Sequence, residues 1–197
     1  HLMTSLAARG FRNLVHLPFG VDKQTFKPAP LVGAAPRRTL VTIGRLAIEK
    51  RVDVVLDAFR TIAATRPELE LVVIGDGPER TKLENRVRDL PQVRFVGFET
   101  DRATLATMLQ GALLLLHACP YETFGLGVAE ALACGLPAVL PDEGGSAEWG
   151  PAMSRVLHRS GNADALAAAA EDLLRRLDEN EGLVREDAAS FGRGVLG

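Results

Sequence analysis

"TLVTIGRLAIEKRVDVVLDAFRTIAATRPELELVVIGDGPER", residues 39–80, decides the fold class. It opens on an apolar, β-rich run, TLVTIG at 39–44, and closes on a second, LELVVIG at 69–75. Between them Val52, Val55, Leu56, Phe59, Ile62 and Ala63 recur at the three- and four-residue spacing of a helix that buries one face. Strand, helix and strand in that order make a βαβ unit. The crossover helix brings the chain back to the starting end of the sheet, so the two strands pair in parallel.

The same alternation continues to both sides. The turn Gly75-Asp76-Gly77-Pro78 leads into a predicted helix through Leu90, with Pro78 in its first turn. QVRFVGF (92–98), ALLLL (112–116), LPAVLP (136–141) and SRVLH (154–158) are further strands. Arg102–Gln110, Gly125–Cys134 and a short stretch near Ser146–Gly150 are helices, and Asn162 or Asp164 caps an alanine-rich helix to about Leu177. The expectation is an α/β domain over 39–180: a Rossmann-like parallel sheet of about six strands with helices on both faces. Residues 1–38 read as irregular, broken by Pro18, Pro28, Pro30 and Pro36, with PAPLVGAAPRR as an extended linker; 181–197 read as a C-terminal tail.

Composition limits the function. The chain has 197 residues, 47% hydrophobic and 24% charged, with a formal net charge of −2, which suits one globular domain and gives no basic surface for nucleic acid. The longest apolar run, Ala112–Leu116, is far too short to span a membrane. Cys119 and Cys134 form neither a disulfide framework nor a zinc spacing, so reduced thiols in a cytoplasm are expected.

In such a sheet ligands sit beyond the carboxyl ends of the strands, which selects five loops. The richest holds YETFGLGVAEA, residues 121–131, where seven residues separate Glu122 from Glu130. Thr123, Gly125 and Gly127 permit a tight turn into a helix whose free amides face a ligand. The two carboxylates can accept hydroxyls of a ribose or a hexose, or be ordinary solvated acids; on the acids alone the two readings balance. Arg45 and Lys50 after the first strand suit a diphosphate, though surface charge explains Lys50 alone better. Gly77 is a turn residue or part of a binding loop, and Phe98 packs beside a base or in the core. The DEGGS loop, 142–146, could close over a hydroxyl or a phosphate or be a plain turn, and His117 more often would be a packed histidine than a ligand contact. P-loop, G-x-G-x-x-G and G-x-S-x-G patterns do not occur, and His1, His16, His117 and His158 give no metal-ligand spacing.

Taken together, LPFGVDKQTFKP, GRLAIEKR, LVVIGDGPE, VRFVGF, ETFGLGVAEALACGLPAV and GGSAE resemble, in order, the donor-binding half of retaining GT-B glycosyltransferases of the group 1 class. The resemblance implies catalytic roles for Glu122, Arg45 and Lys50, the two cations gripping the donor diphosphate and Glu122 lying beside the transferred sugar. It implies substrate binding by Glu130 at the ribose, by the amides of Phe124, Gly125 and Leu126, and by the surroundings of Gly77 and Phe98 at the base. It implies no cofactor and no bound metal: the donor is a nucleoside-diphosphate sugar (UDP-, GDP- or ADP-hexose), and cations with a helix N-terminus stabilise the leaving group. Retention through same-face attack in an ion pair is favoured over a carboxylate nucleophile. The resemblance also implies that residues 1–38 lead from a missing N-terminal acceptor domain, that the isolated fragment turns over little, and that a peripheral membrane association is open to the full enzyme. The segment after Glu148 departs from the family pattern. The alternatives are a non-catalytic nucleotide-sugar module, another GT-B enzyme such as a nucleotide-sugar epimerase, and a flavodoxin-like partner-binding domain.

Overall fold

Apolar runs become the strands β1 (Thr39–Ile43), β2 (Glu70–Ile74), β3 (Val93–Gly97), β4 (Leu114–Leu116), β5 (Ala138–Pro141) and β6 (Arg155–His158). In the computed structural model, which describes residues 2–15, 20–29 and 38–195, they form one sheet ordered β3-β2-β1-β4-β5-β6. Every strand pairing in it is parallel. The chain runs outward from β1 to β3, then crosses back to place β4 on the other side of β1. A crevice therefore opens at the carboxyl ends of β1 and β4.

Alternate strand residues point to opposite faces, giving two cores. Leu40, Leu71, Val73, Leu114 and Leu116 meet α2 (Val52–Thr65), α3 (Arg80–Arg86) and the first half of α6 (Ala163–Val195). Val41, Val72, Ile74 and Leu115 meet α4 (Arg102–Gly111) and α5 (Leu126–Ala133). The central strands are buried on both faces as expected. Only the edges depart from that pattern: β3, an edge strand of the sheet, alternates between half-buried and exposed residues.

Three expectations need correction. Residues Leu2–Ala8 form a helix, α1, inside the segment expected to be irregular; no proline or glycine interrupts it before Gly10, where φ of 88° ends it. The helix after Pro78 is shorter than predicted, Arg80–Arg86, and Val87–Asp89 finish as turns. The last helix does not stop near Leu177. It breaks at Asn180 (φ −159°, ψ 81°) and continues to Val195. Val184, Ala188 and Ala189 are buried there, and Arg185 donates to the carbonyls of Ala112 (2.9 Å) and Gln110 (3.0 Å). Pro18, Pro30, Pro36 and most of the PAPLVGAAPRR linker lie outside the described residues. No helix among the described residues is long and apolar enough to cross a membrane.

Candidate functional site

A cleft of about 810 Å³ lies at the crevice, lined by Arg45, Lys50, Phe98, Arg102, His117, Glu122, Gly125, Leu126 and Glu130 among others. Its floor is α5. This helix is apolar all round, as a buried helix should be, so that Val128, Ala129, Ala131, Leu132 and Ala133 are all enclosed. Glu130 is enclosed with them, only 3% exposed. Gly125 starts the helix in the left-handed region (φ 82°), no side-chain hydrogen bond caps the first turn, and the residues of that turn line the cleft. Leu126 is half exposed there.

Each acid has a cation. Lys50 Nζ lies 2.6 Å from Glu122 Oε1. Lys50 is held by a short 3₁₀ turn, Ile48–Lys50, behind Leu46, whose N–H donates to the carbonyl of Asp76 (2.9 Å) and whose carbonyl accepts from the Glu79 N–H (3.0 Å). Burial alone would depress the Lys50 ammonium, but the hydrogen bond and charge of Glu122 outweigh it and hold Lys50 above its usual value. Glu130 accepts a hydrogen bond from the Arg102 guanidinium. Burial raises the Glu130 carboxyl above its ordinary range, and Arg102 works against that rise. Arg45 lies exposed at the rim.

His117 is buried beside Glu122, with Nε2 3.9 Å from Glu122 Oε1, and that ring nitrogen has no hydrogen-bond partner among the described residues. Burial lowers its pKa from 6.5 to about 4, despite the opposing charge of Glu122, so the ring is neutral near pH 7. Sequence spacing gave no metal-ligand set, yet the fold brings potential ligand atoms of His117, Cys119 and Glu122 within 4.8 Å of one another. The Lys50 ammonium already neutralises that carboxylate, and burial raises the Cys119 thiol, which keeps it protonated.

Two proposed contacts fall outside the cleft. The Phe124 ring turns away to pack edge-on against Trp149, 4.4 Å between centroids; its proposed role rested on its amide, next to Gly125. Gly77 serves the close approach of two strand exits, since a Cβ there would come within 2.4 Å of the Leu46 carbonyl oxygen. Phe98, in contrast, is 75% exposed and lines the cleft, so it is not a core residue. The DEGGS loop braces the Glu122 loop: the Gly145 amide donates to the Glu122 carbonyl at 2.7 Å.

Sequence reasoning missed Arg102. It follows directly on Asp101, whose carboxylate caps α4 by accepting from the Ala103 N–H (3.0 Å) and Thr104 Oγ1 (2.9 Å). A helix cap at a strand-end loop could have placed the next residue on the ligand side. Asp101→Ala should lower stability by about 1 kcal/mol, read from urea unfolding.

A family model described as "Glycosyl transferases group 1" matches residues 24–187. Over 138 residues the chain is 40% identical to a GDP-mannose-dependent alpha-(1-6)-phosphatidylinositol dimannoside mannosyltransferase of Mycobacterium tuberculosis (strain ATCC 25177 / H37Ra), covering 66% of this chain and 36% of that protein. The chain spans about a third of the length of the curated relatives it matches. The crystal structure of the C-terminal domain of a glycosyl transferase group 1 family protein (LpcC) from Francisella tularensis aligns with TM-score 0.69 at 23% identity, covering 88% of this chain and 94% of that one. Anabaena Alr3699/HepE in complex with UDP-glucose aligns with TM-score 0.71 at 21% identity, covering 88% and 50%. At these identities the structures show the shared fold.

Proposed function

The chain belongs to the group 1 glycosyl transferases, and from that premise we propose that it is the donor-binding domain of a retaining, metal-independent hexosyltransferase. The observation that carries this reading is the convergence of Glu122 and Glu130, each with its own cation, on one cleft at the sheet's switch point. Glu130 takes the ribose hydroxyls. Arg45, Lys50 and the first amides of α5 take the diphosphate, where charge develops as the sugar leaves. Glu122 lies at the sugar end, and Phe98 flanks the base. The 40% identical relative named for GDP-mannose supports that donor, and its name supports a lipid-linked acceptor. The acceptor half of the cleft belongs to a further domain, so residues 1–197 alone bind donor but turn over little.

Same-face attack within an ion pair is the better fit for retention. A carboxylate held at 2.6 Å by an ammonium is a weakened nucleophile, and Glu122 is in that position. Titration calorimetry with GDP, UDP and ADP tests the donor site: binding is expected for GDP, and no binding to any of the three at millimolar concentration sinks the reading. Glu122→Ala should leave GDP affinity within about threefold of the parent while impairing transfer in the complete protein by about a hundredfold or more. A parallel loss of GDP affinity would place Glu122 at the nucleotide instead.

A further inference from the structure

Arg102 links the acid in the cleft to the segment that precedes the sheet. Its guanidinium donates to the buried Glu130 carboxylate, and its Cζ lies 4.6 Å from the centroid of the Phe26 ring. Phe26 is 1% exposed and belongs to the segment before the sheet, in a turn closed by its own N–H donating to the Asp22 carbonyl at 2.8 Å. The turn is tightened by Asp22, which accepts from the Gln24 N–H (2.9 Å) and Thr25 Oγ1 (2.6 Å). Arg102 itself is 53% exposed on its side chain, so water solvates its outer face while its inner face meets Glu130.

A buried carboxylate that must accept hydroxyls has to remain ionised and fixed in direction. One guanidinium hydrogen bond serves both needs and leaves the second oxygen available. We infer that Arg102, seated on Phe26, is a positioning residue that orients Glu130 for the donor's ribose, so that the segment leading into the domain takes part in nucleotide binding. This rests on the donor-site reading above. The other ionisable groups around Glu130 are consistent with it. Cys134, one turn along α5, is pushed up to about 12 by burial and stays a neutral thiol. Asp22 faces Arg102 from the lead-in turn, Arg185 bonds to backbone carbonyls from α6, Glu99 accepts from the Asp101 N–H just before Arg102, and the Lys50–Glu122 pair lines the same cleft. None of them replaces Arg102 beside the carboxylate.

The test is GDP affinity by calorimetry between about pH 5 and 8, for the parent chain, R102M, R102K and R45M. R102M keeps an apolar stem on Phe26 and removes the charge. It should bind GDP roughly tenfold to a hundredfold more weakly near neutral pH, the size of one charge-assisted hydrogen bond. Its affinity should also fall further as pH drops, because an unpartnered buried carboxyl protonates at higher pH than a paired one. R102K should recover much of the affinity and the parent's pH profile. R45M removes a cation from the same cleft without touching Glu130, so it should weaken GDP without moving the profile. Titration of the GDP phosphate is common to all four. Thermal unfolding confirms that each variant is folded. An R102M affinity and profile equal to the parent's overturns the inference, as does tighter binding, which would make Arg102 a competitor for Glu130. Failure of the parent to bind GDP removes the donor-site reading first and this inference with it.

Discussion

Glu130→Leu will abolish GDP binding and leave the protein as stable as the parent or more so. The two halves of this outcome come from one fact: Glu130 is a carboxylate enclosed by the apolar α5, 3% exposed, with a single described partner. Burial works against its ionisation, and the guanidinium offsets that only in part, since the carboxyl stays above its ordinary range. Only the acid of this pair is buried, so an apolar side chain of similar volume removes its desolvation cost without leaving a buried charge unpaired. Arg102, freed by the change, turns to water from its exposed outer face. On the proposed ribose assignment the nucleotide loses two charge-assisted hydrogen bonds, worth a factor of roughly a hundred or more in affinity. Calorimetry with GDP and a thermal scan read both halves. A fall of several degrees in Tm with GDP affinity intact would mean that the acid is there to hold the helix, not the ligand.

That test matters because the acid's position was legible in the sequence and its partners were not. The parallel sheet could be read from Thr39–Ile43 and Glu70–Ile74 with the helix between them, since the signal is a local periodicity. The strand-end rule then placed Glu122, Glu130, Arg45 and Lys50 in one region, and all four line one cleft. Which cation meets which acid is another matter. Lys50 and Glu122 are 72 residues apart and Arg102 and Glu130 are 28 apart, so strand order, not spacing, brings them together. Direction within a loop was equally hidden. Phe124 and Phe98 are both aromatics beside strand exits, yet one ring packs on Trp149 and the other stands in the cleft. Asn180 shows the limit of local stop signals. The predicted helix ended near Leu177, whereas Val184 and Ala188 beyond the break find apolar neighbours that carry the chain on as helix.

His117 should make the fold sensitive to acid over a defined window. Its ring is neutral and buried, with a pKa near 4 against 6.5 in an unfolded chain. The lowering comes first from burial; the Lys50 and His158 charges add to it, and the Glu122 charge opposes it. Between those two values the unfolded state binds a proton that the folded state refuses. Stability is therefore fully present above 6.5 and declines as pH falls toward 4. The gap corresponds to about 3 kcal/mol, enough to lower Tm by several degrees. Carboxylates as a class titrate near the lower end of the same range, so the informative quantity is a difference between two proteins. His117→Gln removes the titrating ring and leaves a neutral side chain that can still hydrogen bond. Urea unfolding at pH 7 and pH 4.5 should show the parent losing about 2–3 kcal/mol more than the variant. Equal losses would mean that the folded protein accepts a proton at His117 readily, which its 3.9 Å neighbour Glu122 would then have to be stabilising. In that case the imidazolium, Glu122 and Lys50 would form a charged triad in the cleft and, on the proposed donor-site reading, transfer in the complete protein would depend on pH through His117.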